Sequence, residues 1–161
     1  MSYSSLAVAE EIAEYTVKAA FLYNFAIFTT WPDSNSDAFN LCIYGADPFG
    51  KDLDKLVKKK KRVNERNVTI YRTNNIDQLE QCQLVFISHS AIDSLTSIID
   101  TLRNKPILTV ADSPGAARSG VIINLAVKDN KVTFEVNLSM VRKAGLNLNA
   151  QLLRFATKVH Y

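Results

Sequence analysis

Glycine and proline are scarce in this sequence, five and four in 161 residues, and the glycines fall in none of the spacings that cradle a phosphate. Neither GxGxxG nor GxxxxGK[ST] occurs, so the backbone machinery of a dinucleotide or nucleoside triphosphate site is missing. Two histidines, His89 and His160, and two cysteines, Cys42 and Cys82, are too few and too scattered for a metal-ligand pattern. No metal and no cofactor is expected. No apolar run reaches the roughly 18 residues of a bilayer span. The nearest, Ala19 to Trp31, is interrupted by Asn24 and two threonines, so direct membrane insertion is not expected. The start, Met1-Ser-Tyr-Ser-Ser, does not read as a secretion signal, because no basic segment precedes an apolar core. Either the protein is cytosolic or a signal has been removed from it.

Charge of one sign is also in short supply: the net charge of +3 is too small to mark a nucleic-acid binder. Much of the excess sits in Lys58-Lys59-Lys60-Lys61-Arg62. Such a run can attract an anion, a phosphate backbone or an acidic membrane. With no aromatic residue interleaved to stack bases, it reads as the solvated end of a helix, and no nucleic-acid partner is expected.

What remains is an ordinary globular composition, 47% hydrophobic and 22% charged, at the length of one domain. A single domain over residues 1–161 is expected, with residues 1–10 partly disordered or an addition to the natural start. Leu6 to Thr30 reads as one long helix, apolar at Ile12, Tyr15, Ala19, Leu22 and Ala26 and again at Val17, Phe21, Phe25 and Phe28. Trp31-Pro32 stops it, and Asp33 to Ala38 is polar connector. Strands follow at Leu41 to Tyr44, Val68 to Arg72, Leu84 to Ile87 and Ile107 to Val110. Between them lie a helix opened by Asp47 and Pro48, a short helix over Ile76 to Gln81, and a helix over Ile92 to Arg103. Two β-rich runs, Val121 to Val127 and Val132 to Asn137, meet at Lys128-Asp129-Asn130-Lys131, whose centre tolerates the positive φ of a tight hairpin. A helical turn or two at Leu138 to Ala144 and a last helix from Ala150 to Val159, with Phe155 available for burial, complete the chain. The alternation predicts an α/β, Rossmann-like, mostly parallel sheet flanked by helices and extended by a C-terminal antiparallel hairpin.

Ligands of such sheets sit beyond the carboxyl ends of the strands. Asp47, His89 and Asp112 fall there and form a candidate ligand pocket. A hydrolase assembled from Ser113, His89 and Asp112 or Asp47 is disfavoured, because no GxSxG elbow surrounds Ser113 and adjacent residues rarely satisfy triad geometry. His160, within the last two residues, is expected to fray into solvent. Cys42 begins the first strand and Cys82 just precedes the third. In a 2-1-3-4 strand order the spacing of about 4.8 Å brings their Cα atoms near disulfide range. Closing a loop of about 40 residues would stabilise the fold by roughly 4 kcal/mol. Two separate reduced core cysteines are the other reading, and both stay open at this point.

Several stretches together resemble the YfiR-like proteins: Lys18-Ala-Ala-Phe-Leu-Tyr-Asn-Phe-Ala-Ile-Phe-Thr-Thr-Trp-Pro32, Leu41-Cys-Ile-Tyr-Gly45, Cys82-Gln-Leu-Val-Phe-Ile-Ser88, Ala111-Asp-Ser-Pro-Gly115, Val132 to Leu138, and Lys143-Ala-Gly-Leu146. The similarity runs from about Tyr15 to Ala156. It implies a periplasmic, non-enzymatic regulator that binds the sensor domain of an inner-membrane diguanylate cyclase and represses it, controlling cyclic di-GMP signalling in response to envelope conditions. It also implies a homodimer, for which Phe21, Phe25 and Phe28 are candidate dimer or partner contacts. Cys42 and Cys82 match one cysteine pair of the family, which favours the bridge. A second pair carried by some members has no counterpart, since Ala111 to Asn124 lacks cysteine, so redox switching through it is not expected. The alternative function is a periplasmic small-molecule-binding sensory domain with its ligand at Asp47, His89 and Asp112.

Overall fold

In the computed structural model the described residues are 2–32 and 37–161; of residues 2–9 and 12 only the backbone is described. The expectations placed on residue 1, on connector residues 33–36 and on the side chain of Ile12 lie outside the described residues.

Helix α1 (Ser2–Ile27) buries Ala19, Leu22, Tyr23, Phe25 and Ala26. It stops short of Thr30, because the Thr29 hydroxyl donates to the Phe25 carbonyl at 2.7 Å and Thr29–Thr30 becomes a short strand, β1, paired antiparallel with Asn147–Leu148. The backbone thus leaves the helix before the Trp31-Pro32 stop. β2 (Ala38–Tyr44), β4 (Arg66–Thr73), β5 (Leu84–Ile87) and β6 (Leu108–Ala111) are parallel neighbours in the order β4-β2-β5-β6, the 2-1-3-4 arrangement. α2 (Lys51–Lys60) connects β2 to β3 (Arg62–Val63), which forms a hairpin with β4. Asn64 and Glu65 turn that hairpin at φ of 48° and 70°. α2 begins at Lys51, not at Pro48, because Asp47 spends its Oδ1 on the Phe49 amide and turns the chain before the helix can form. Similarly, the segment expected as one helix over Ile92 to Arg103 opens as a 3-10 turn at His89–Ser94 and becomes α3 only at Leu95–Leu102.

β7 (Ile123–Lys128) lies parallel to β6 and forms the expected hairpin with β8 (Lys131–Asn137). Asp129 and Asn130 both take positive φ, 51° and 62°, the left-handed pair that matches strand twist in a two-residue loop. α4 (Leu138–Lys143), capped by the Asn137 side chain, leads through β9 (Asn147–Leu148) to α5 (Ala150–Phe155). The last helix is shorter than its periodicity suggests. Thr157 donates to the Phe134 carbonyl, and β10 (Lys158–His160) runs parallel to β8 at the sheet edge. His160 therefore sits in a strand, 3.6 Å from Glu135, and does not fray into solvent.

Alternate residues of the parallel strands serve two cores. Phe39, Leu41, Ile43, Leu84, Phe86, Leu108 and Val110 pack with α1, while Tyr44, Val85, Ile87 and Ala111 pack with α3. Cys42 and Cys82 belong to the α3 side and are joined by a disulfide, with Cα atoms 6.1 Å apart.

Candidate functional site

At the topological switch point between β2 and β5 the two following loops touch. Gly45, at φ 94°, leaves room for nothing larger: a Cβ there would stand 2.9 Å from both the Ala91 Cβ and the Ser90 Oγ. The Ala46 amide donates to Ser90 Oγ at 2.9 Å. Protein therefore occupies the place where ligands of open parallel sheets usually enter.

The three residues expected to line a pocket there each have other company. Asp47 accepts from the Phe49 amide and from Arg72 Nε at 2.8 Å. Arg72 reaches Asp54 with its other nitrogens. Hydrogen bonds to Asp54, and then to Asp47, hold the guanidinium above its ordinary pKa against the opposing effect of burial. His89 Nδ1 lies 3.0 Å from Ser113 Oγ. Ser113 is buried, and the Asn124 side chain brackets its backbone, accepting from its amide and donating to its carbonyl. Asp112 points elsewhere: its Oδ2 accepts from Tyr15 and Lys18, and its buried Oδ1 has no hydrogen-bond partner among the described residues. The carboxylate does not orient the imidazole and the hydroxyl is shut from solvent, so the serine, histidine and aspartate do not compose a catalytic triad.

Sequence reasoning passed over the group that holds Asp112. Lys18 is 3% exposed, with Nζ 3.0 Å from Asp112 Oδ2, 2.6 Å from Glu14 Oε2 and 4.6 Å from the Tyr15 ring centre. Tyr15 donates to Asp112 at 2.8 Å and packs edge-on against Phe49. Burial, with Asp112 accepting its proton, pushes the Tyr15 phenol well above its ordinary pKa. The available signal was periodicity: Lys18, Leu22 and Phe25 share one helix face, where a solvated lysine would be out of place.

An apolar groove of about 350 Å³ opens between α1, β8 and α5, lined by Phe21, Phe28, Phe134, Leu152 and Phe155. Among the candidate contact residues, Phe25 is fully buried and stacks edge-to-face on Phe134, whereas Phe21 and Phe28 are half-buried at the groove. Phe155, expected to be buried, is 74% exposed because α5 ends there and the chain turns away into β10. A longer groove, sharing Val132, continues between the first half of α1 and the hairpin, with Val17 and Val127 exposed along it. Glu10, Glu14, Asn130 and Lys131 also line it, and an apolar groove that continues into such a mixed surface suits a protein partner better than a reaction.

Among the described residues, no helix is long and apolar enough to cross a membrane, and no cluster of His, Cys, Asp and Glu could hold a metal ion. Two solved structures share the fold. One is a conserved domain protein from Vibrio cholerae O1 biovar El Tor, with TM-score 0.52, 8% identity and coverage of 78% of this chain and 55% of that one. The other is an ABC domain from Streptococcus pneumoniae solved in complex with L-Trp, with TM-score 0.51, 6% identity and coverage of 76% and 56%. The chain thus spans little more than half the length of each. The family model described as DUF4154, YfiR/HmsC-like, matches residues 15–157, from the tyrosine that holds Asp112 to the edge of β10, and the chain belongs to that YfiR/HmsC-like family.

Proposed function

We propose that this protein is a periplasmic, non-enzymatic regulator that binds the sensor part of an inner-membrane diguanylate cyclase and keeps it inactive, so that envelope conditions set the level of cyclic di-GMP. The observation that carries this reading is the exposed Phe155 ring at the mouth of the groove formed with Phe21 and Phe28. Aromatic anchors beside a concave apolar surface are where binding energy concentrates in protein interfaces. Family membership supplies the class of partner. The chain acts as a homodimer, for which exposed Val17 and Val127, set among Glu14 and Lys131 along the second groove, offer a mixed contact face. The small-molecule reading has less support, since the β2 and β5 loops meet at the switch point and Asp47, His89 and Asp112 each bond different partners.

Deleting the gene in its own host and measuring cyclic di-GMP tests this. The level rises on deletion, returns with the wild-type gene and does not return with Phe155→Asp. An unchanged level on deletion contradicts the proposal.

A further inference from the structure

We propose that a pocket beside Trp31 binds the phosphate group of a small organic phosphate ester, with Arg66 as its anchor. This inference is independent of the regulatory reading, because the pocket shares no lining residue with the Phe155 groove.

The pocket has a volume of about 300 Å³, within the range of small-molecule sites, and is lined by Ile27, Thr30, Trp31, Val63, Asn64 and Arg66. Arg66 opens β4 and stands directly across the hairpin from Val63, so both side chains lie on the face that meets the pocket. Its Nη1 is buried and meets no acceptor among the described residues. A buried donor on a charged group is costly unless an acceptor reaches it. The chain's other arginines with ion pairs show the contrast: Arg72 and Arg103 each have carboxylates at 2.8 Å.

The planar fork of a guanidinium matches phosphate oxygens two at a time. Asn64, held at the rim by the left-handed turn, and the exposed Thr30 add an amide and a hydroxyl at the same opening. Ile27, Trp31 and Val63 provide an apolar wall for the carbon part of an ester. The run Lys58 to Arg62, exposed throughout, leads directly into β3 and adds positive charge near this hairpin, against the carboxylates of Glu65 in the turn and Asp37, whose carbonyl accepts from the Asn67 amide. Positive charge there raises the local concentration of a phosphate anion. The lysine run thus gains a role as the approach to a built anion site. The same phosphate chemistry is offered by a soluble ester and by a phospholipid headgroup.

Calorimetric titration of the full chain with glycerol phosphate and with inorganic phosphate, together with flotation on phosphatidylglycerol and phosphatidylcholine vesicles, tests the assignment. Saturable binding of one glycerol phosphate per chain is expected, tighter than inorganic phosphate. Arg66→Gln and Arg66→Lys each weaken it about tenfold or more, since Lys keeps the charge and loses the fork, while Lys59→Gln with Lys60→Gln weakens it only about threefold. Both Arg66 variants melt at or above the wild-type temperature without ligand, which separates lost binding from lost folding. If the source is a headgroup, the protein floats with phosphatidylglycerol vesicles and Arg66→Gln abolishes it; if it is a soluble ester, neither vesicle is bound. Absence of saturable binding to every probe overturns the proposal, as does binding that survives Arg66→Gln and disappears in the lysine variant.

Discussion

Lys18 and Asp112, 94 residues apart, face each other at 3.0 Å with side chains only 4% and 2% exposed, and so fasten the middle of α1 to the carboxyl end of β6. Breaking one side of such a buried pair strands the other charge. Lys18→Met is expected to cost about 3–5 kcal/mol in urea unfolding, and adding Asp112→Asn recovers more than half of that loss. A single-variant cost below about 1 kcal/mol, as for solvated pairs, would mean that the pair is not shielded.

The same cluster sets an alkaline limit. The folded phenol of Tyr15 titrates above its ordinary value near 10, first because it is buried and then because it donates to Asp112. A raised folded pKa means that the contribution to stability is whole below about pH 10 and is lost as pH climbs through the folded value. Ultraviolet titration at the tyrosinate band therefore shows Tyr15 ionising late, as does Tyr23, whose phenol pKa burial also raises, and Tyr15→Phe removes one of the two late tyrosines and the part of the alkaline stability loss that belongs to it.

Reduction of Cys42–Cys82 reopens a loop of 40 residues in the unfolded chain, and the expected loss is about 4 kcal/mol. Both cysteines are buried under α3, at 1% and 2% exposure, so dithiothreitol acts slowly on the native protein and quickly once denaturant is present. Intact mass under non-reducing conditions, with and without denaturant, measures this. Equal reduction rates in the two conditions would contradict the burial.

The phenylalanines of the groove divide by what they touch. Phe25→Ala, fully buried against Phe134, is expected to cost about 3–5 kcal/mol, whereas Phe155→Asp shifts stability by no more than about 0.5 kcal/mol. Comparable losses at both positions in chemical unfolding would show that Phe155 packs in solution.

Sequence periodicity carried the parallel core because β2, β5 and β6 hold short, mostly apolar runs bounded by turn residues while β4 alternates, with Val68 and Ile70 half-buried, and Asp129-Asn130 announced its own hairpin. The pairing of β1 with β9 and the parallel docking of β10 were not legible. These strands are two or three residues long and exist only through partners brought from far along the chain, so local pattern favours helix at both places. Phe155 follows from the same cause, since a longer helix would have turned it inward. Lys18 was hidden because a lysine is assumed solvated until its carboxylate is in place, and Asp112 arrives only through the sheet. Of the candidate site, Phe21 and Phe28 were legible, while the Phe155 that completes the groove was not.

The central claim is a physical contact, and the most direct test is calorimetric titration of this protein with the purified sensor domain of an inner-membrane diguanylate cyclase from its own host. The account predicts saturable binding that Phe155→Asp abolishes and that Tyr71→Asp, on the far part of the sheet and 42% exposed, leaves intact. No binding by the wild type, or binding that Phe155→Asp does not weaken, would contradict it.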